Sequence, residues 1–91
     1  MDYSTDSLKK IKELASKLTP VTEIGVLLDL PINELRDEIA TVGSPAHQAF
    51  YSGMAKTALK IRERDLELAE AGSPSAAEAL KDHLRKMMND L

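Results

Sequence analysis

The chain has 91 residues, 43% hydrophobic and 30% charged, with a formal net charge of −3, two Tyr, one Phe and no Cys. At this length a domain buries roughly 60–65% of the surface its unfolded chain exposes, so one modest core is expected, which a partner would help to secure. Without Cys there are no disulfides, no thiol catalysis and no thiolate zinc sites, and the negative balance argues against a protein that grips nucleic acid over its whole surface while leaving room for one basic patch.

The opening residues Met1-Asp2-Tyr3-Ser4 place no basic stretch ahead of an apolar block, and the apolar runs are only a few residues long. Neither a signal peptide nor a membrane span is expected, and the chain is expected to stay in the compartment where it is made. No run shows the apolar alternation of a strand, so the expected fold class is all-α. Thr19-Pro20, Ser44-Pro45 and Ser73-Pro74 each join a hydroxyl that can cap first-turn amides to a proline with a preset φ. Gly43 and Gly72 precede two of these pairs, as residues that close a helix.

The first helix is expected over residues 5–18, with Leu8, Ile11, Leu14, Ala15 and Leu18 on one face and Lys9, Lys10, Lys12 and Lys17 elsewhere. A short second helix, 20–28, ends at Asp29-Leu30-Pro31, because proline cannot donate to the helical ladder and biases Leu30 away from helical backbone. The third helix covers 32–41. The fourth runs from 44 to 71, about 40 Å at 1.5 Å per residue, longer than the rest of the domain is wide. The fifth, 74–89, must turn back along the fourth, because Gly72-Ser73 is too short a link for anything but a helical hairpin. Two domains are expected: a three-helix unit over 1–43 and an antiparallel hairpin over 44–91. The two Gly-Ser-Pro starts reflect shared capping chemistry and not a repeat, since the residues after them diverge. Charge is uneven: +1 over residues 1–19, −4 over 20–43 and zero in each hairpin helix.

Two short helices crossing at a tight turn need a set of inward aliphatic and small positions. Ile24, Gly25, Leu28, Leu30, Leu35 and Ile39 supply it, with Gly25 where a larger side chain would hold the helices apart. Asp29 stands at the turn, where glycine is usual, and tolerates left-handed backbone. A generic helical corner satisfies the same pattern, so that reading stays beside the helix-turn-helix. In the helix-turn-helix the third helix enters a major groove, with Asn33, Arg36, Asp37 and Ala40 outward. Arg36 and Asn33 are base readers for guanine and adenine edges, whereas Glu34, Asp37 and Glu38 oppose phosphates. A single head should therefore bind duplex DNA weakly. Lys9, Lys10 and Lys12 on the first helix are candidate backbone contacts, and a solvated helix face is the plainer reading of each.

On the fourth helix Phe50, Met54, Ile61 and Leu68 form one apolar stripe, and Ala55, Leu59 and Leu66 another nearly opposite, so the helix needs two partners. The fifth helix covers one through Ala77, Leu80, Leu84, Met87 and Leu91. Phe50, Met54, Leu59, Ile61 and Leu66 are the candidate self-association residues of a homo-oligomer. Ala46, Ala49, Gly53 and Ala55 allow close backbone approach at the helix start. Lys60 with Glu63, Arg62 with Asp65, Arg64 with Glu67 and Asp82 with Arg85 are spaced as surface ion pairs, and Lys56, Lys60, Arg62 and Arg64 are minor candidates for DNA contact.

Residues 44–84 carry Ser44-Pro45, the aromatic pair Phe50-Tyr51 followed by Gly53, the run Leu59-Lys60-Ile61-Arg62, Leu66-Glu67-Leu68-Ala69, and Gly72-Ser73-Pro74 with Ala76 and Ala77 behind it. With the helix-turn-helix, over residues 19–91, this order resembles small helix-turn-helix proteins of the phage terminase small subunit family. The resemblance implies a non-enzymatic DNA-packaging factor in the cytoplasm of a bacterial host. It would recognise viral double-stranded DNA, assemble into oligomers, and present DNA to a separate large subunit that carries the ATPase and nuclease. The acidic third helix departs from that pattern. Avidity would reconcile the two, since many weak heads on one assembly hold DNA that one head cannot.

His47 and His83 lie on different helices, without carboxylates at ligand spacing, and are expected in solvent. No GxGxxG or GxxxxGK loop occurs. No enzyme, cofactor, metal or small-molecule substrate is expected. Two alternatives to the packaging role are an adaptor that docks a basic partner through the acidic second and third helices, and a phage or bacterial transcriptional regulator.

Overall fold

The computed structural model describes residues 3–91 and places them in five helices, with no strand among the described residues. They are α1 (Thr5–Ser16), α2 (Val21–Leu28), α3 (Ile32–Ala40), α4 (Pro45–Glu70) and α5 (Pro74–Asn89). The chain forms two compact units, one reaching to Thr57 and one from Ala58 onward. The expected domain boundary at 43/44 is therefore a helix start, and the first turns of α4 pack with the first unit.

That unit is built on aliphatic side chains. Ile11 of α1, Ile24 of α2 and Leu35 of α3 are fully buried, with Ile39 and Ala46 beside them, and Tyr3, Leu8, Leu14, Val21, Leu28, Leu30, Ala49 and Phe50 pack around this centre. Ser4 starts α1 by accepting from the Ser7 amide at 3.0 Å. The helix ends at Ser16, earlier than expected. Thr19 N bonds Leu14 O and Leu18 N bonds Ala15 O, a closing turn that puts Leu18 at φ 61 and leaves it 54% exposed rather than in the core. This turn also folds Thr19 inward, 9% exposed, so that Pro20 stands at the N-cap of α2 and no side chain caps that helix. The other two expected caps form: Ser44 Oγ accepts from His47 N at 3.0 Å, and Ser73 Oγ from Ala76 N at 3.3 Å.

Between α2 and α3 the same turn recurs. Leu30 N bonds Gly25 O at 2.9 Å, Asp29 N bonds Val26 O, and Asp29 sits at φ 55. Gly25 is required by contact: a Cβ there would lie 2.9 Å from Ile32 Cγ1 and 3.3 Å from Leu30 O. All six inward positions of the expected helix-turn-helix are buried or half-buried. A closer approach occurs where α4 crosses α1. A Cβ on Gly53 would lie 2.1 Å from the Lys12 carbonyl oxygen and 3.1 Å from the Ser16 amide nitrogen. One turn on, the Thr57 hydroxyl donates to the Ser16 carbonyl.

In the second unit the chain reverses at Gly72, with Ser73 N bonded to Leu68 O at 2.9 Å and Gly72 N to Ala69 O at 3.0 Å. Residues from Ala58 to the end of α4 then run antiparallel to α5.

Candidate nucleic-acid and self-association surfaces

Asn33, Arg36, Asp37 and Ala40 are exposed on one stripe of α3, as three- and four-residue spacing dictates. Arg36 is not free to swing: its Nη2 donates to Thr22 Oγ1 of α2 at 2.8 Å, which spans the two crossing helices and leaves its other donors available. Of the three acids expected to face phosphates, Glu34 and Asp37 are exposed, whereas Glu38 is half-buried beside Tyr3. The Glu38 carbonyl accepts from Ser44 Oγ at 2.6 Å. Burial, and then Glu38 and Glu34, push the Tyr3 hydroxyl above its ordinary titration range.

Lys9, Lys10 and Lys12 are exposed on α1. Lys10 is paired within its own helix to Asp6 at 3.2 Å, and Lys17 to Glu13 at 3.6 Å. Such exposed pairs contribute at most about 1 kcal/mol and leave the cations open to a stronger anion. Neither histidine is in open solvent. His47 is half-buried, donating Nδ1–H to the Ile39 carbonyl at 2.7 Å with its ring 4.5 Å from that of Tyr51, and it thereby ties α4 to the end of α3. His83 meets Asp65 at 2.9 Å, so Asp65 bridges the two hairpin helices instead of pairing with Arg62.

The hairpin seam also differs from expectation. Of α5 it takes Ala76, which is buried, with Ala79, Leu80 and His83, which are half-buried; of α4 it takes Asp65 and Ala69. Apart from Leu80 these are small or polar residues, and most of the longer apolar side chains lie on the flanks. Ala77 is exposed, and Leu84, Met87 and Leu91, expected in the seam, are exposed at 53%, 63% and 102%. Among the self-association candidates, Phe50 packs on the core of the first unit and Met54 is half-buried, so Phe50 is withdrawn from that surface. Leu59, Ile61 and Leu66 remain exposed. Met88 joins them, in a shallow groove of about 360 Å³ lined by Lys81, Leu84, Arg85, Met88 and Asn89. Val26 and Leu27, exposed on α2, were not marked by sequence; the strongly apolar composition of so short a helix was the available signal.

Among the described residues no His, Cys, Asp and Glu group is placed to hold a metal ion, and no helix is long and apolar enough to cross a membrane. Neither the protein-family models nor the curated proteins nor the solved structures contain a match to this chain.

Proposed function

We propose that the chain is a non-enzymatic, self-associating DNA-binding factor that acts as a phage terminase small subunit does, gathering weak reading heads on one assembly to recognise viral DNA for packaging. The observation that carries this reading is the hairpin, whose large side chains Leu59, Leu66, Leu84, Met87 and Met88 are each about half exposed or more while its seam takes mainly small and polar residues. Several such residues on a 34-residue two-helix unit are more than a solvated surface needs. The reading is further supported by α2 and α3, which cross at a left-handed turn and hold Asn33 and Arg36 outward. With Glu34 and Asp37 on the same helix, one head has little electrostatic grip, so affinity must come from linked copies. A separate large subunit would supply the motor and nuclease.

Light scattering at micromolar concentration, followed by duplex binding across a salt series, tests this. A multimer whose DNA affinity falls steeply with salt is expected. A monomer, or a multimer that ignores duplex DNA at low salt, overturns it. Within the reading, Arg36→Ala and Asn33→Ala should alter sequence preference, whereas Lys9→Ala and Lys12→Ala should weaken all sequences alike. A transcriptional role uses the same contacts.

One observation favours the adaptor. Residues 20–43 sum to −4, and α2 exposes Val26 and Leu27 by 67% and 60% beside Glu23, a mixed acidic and apolar surface suited to a basic amphipathic segment. Tight binding of a basic helical peptide, together with indifference to DNA, would select it.

A further inference from the structure

Residues 20–43 hold one cation, Arg36, among five carboxylates. Charge-assisted bonds to a carboxylate are the stronger ones open to a guanidinium, yet none of the acids on α3 lies at the right spacing. Glu34, Asp37 and Glu38 stand two before, one after and two after Arg36, whereas helical side chains meet at three and four. The partner that Arg36 does take is the neutral hydroxyl of Thr22 on α2, at 2.8 Å, one residue short of Glu23. Both residues are exposed. The crossing that brings them together is set by Gly25, where a Cβ would crowd Ile32 and Leu30.

A hydroxyl partner has two consequences that a carboxylate would not. It holds the guanidinium without cancelling its charge. It also leaves a whole fork free. A guanidinium presents two edges of two donors each, one shared by Nη1 and Nη2 and the other by Nη2 and Nε. Nη2 serves both edges, with a different hydrogen in each. Whichever of these hydrogens Thr22 accepts, one edge loses a donor and the other stays intact. The bond therefore fixes the guanidinium and at the same time selects the single edge that remains able to make a bidentate contact. Thr22 is itself restricted at χ1 by its branched Cβ, so the acceptor is as well held as the group it holds.

We propose that Thr22 is a positioning residue for Arg36, holding its one intact edge toward the major groove so that a guanine at a single base pair is read through O6 and N7. The proposal deepens the DNA-binding reading above and rests on it. Thr22 itself touches neither base nor phosphate. It acts by removing the rotamers that a free arginine would have to give up on docking, a factor of roughly two to ten for one long side chain. Asn33, one turn earlier on the same stripe, has no part in this bond, so the effect is confined to the base pair that Arg36 meets.

Selection of duplexes from a randomised pool at low salt, run in parallel on the wild type, Arg36→Ala, Thr22→Val and Thr22→Ser, tests this. Arg36→Ala locates the base pair, as the position where a preference for guanine disappears. There Thr22→Val, which keeps the shape and loses the hydroxyl, should reduce the guanine preference roughly two- to tenfold. Thr22→Ser, which restores the hydroxyl, should return most of it. Preferences at every other base pair, and the slope of affinity against salt, should match the wild type. A guanine preference that survives in Thr22→Val, or is lost equally in Thr22→Ser, overturns the proposal. So does a Thr22→Val that weakens all sequences alike, which would make Thr22 a phosphate contact or a support of the fold. Each of these results leaves DNA binding standing. An Arg36→Ala that selects the same sequences as the wild type overturns base reading by Arg36 and the proposal with it, and a wild type that binds no duplex overturns the DNA-binding reading itself.

Discussion

The two units of this chain draw on similar stores of Leu, Ile and Ala and place them in opposite ways. In the first, α1, α2 and α3 cross one another, so Ile11, Ile24 and Leu35 converge and reach 0% exposure. In the second, two helices run side by side and meet through alanine and the His83–Asp65 pair, and Ala76 is the only buried hydrophobic residue among those described. A pair of helices has too little interior for most of its leucines, so Leu59, Leu66, Leu68, Leu84 and Leu91 become flanks while Leu80 is half-buried. Apolar content therefore does not make a core; the number of helices that converge does. The first unit encloses its large side chains, and the second leaves most of them on its flanks.

The sharpest way to break this contrast is at Gly53. A side chain there meets backbone of α1, not a flexible tip, so helix separation is the only relief. Gly53→Val should cost more than about 3 kcal/mol in urea unfolding, among the largest effects of a single substitution; a loss below 1 kcal/mol would mean that α4 does not cross α1 there. Next comes a matched pair of truncations. Ile24→Ala should cost about 2–5 kcal/mol by opening a cavity. Leu59→Ala, of a residue 51% exposed, should change the unfolding of dilute, monomeric protein by less than about 0.5 kcal/mol and yet weaken association. If both truncations cost the same at high dilution, the two units are not built differently.

Much of the first unit was legible in the sequence, because its signals are local. Gly25, Asp29 and Pro31 mark a turn whatever packs around it, and Ser44 and Ser73 cap their helices within three residues. Thr19 failed as a cap because the closing turn after α1, made by Leu14 and Ala15, draws it inward. The hairpin was legible as a hairpin and illegible in its seam. Ala76, Ala79, Leu80 and His83 form the stripe of α5 that turns inward, and Ala77, Leu84, Met87 and Leu91 lie on an adjoining one; both have helical spacing, and hydrophobicity favours the second. The polar bridge between His83 and Asp65 belongs to the first, and it leaves no trace in periodicity. The same holds for the candidate DNA surface: spacing located Asn33 and Arg36 on one stripe, while the Arg36 bond to Thr22 depends on how two helices cross.

Smaller effects sharpen the picture of the first unit. Leu18 and Asp29 both occupy left-handed backbone at helix ends, at φ 61 and φ 55. A branched aliphatic residue resists this conformation more than aspartate does. Leu18→Gly should stabilise by up to about 1 kcal/mol after losing the half of its side chain that is covered, and Asp29→Gly by a few tenths. Thermal midpoints would rank them, and the reverse order would show that packing of Leu18, not its backbone, dominates.

The smallest effect near neutrality and the most specific one is at Tyr3. Its hydroxyl is buried and has no hydrogen-bond partner among the described residues, so Tyr3→Phe should leave stability at pH 7 unchanged or slightly raised. At alkaline pH the two proteins should diverge. Burial, then Glu38 and Glu34, raise the folded pKa above the unfolded value of 10.0. As pH climbs past that value, the unfolded chain releases the phenolic proton while the folded chain retains it. The unfolded state then binds fewer protons, so stability falls with rising pH, and the fall continues until the folded phenol ionises as well. Below pH 9 the difference between wild type and Tyr3→Phe should be flat; above it, urea midpoints of the wild type should drop faster than those of the variant. Parallel curves up to pH 11 would place the hydroxyl in water and remove Tyr3 from the neighbourhood of Glu34 and Glu38 on α3.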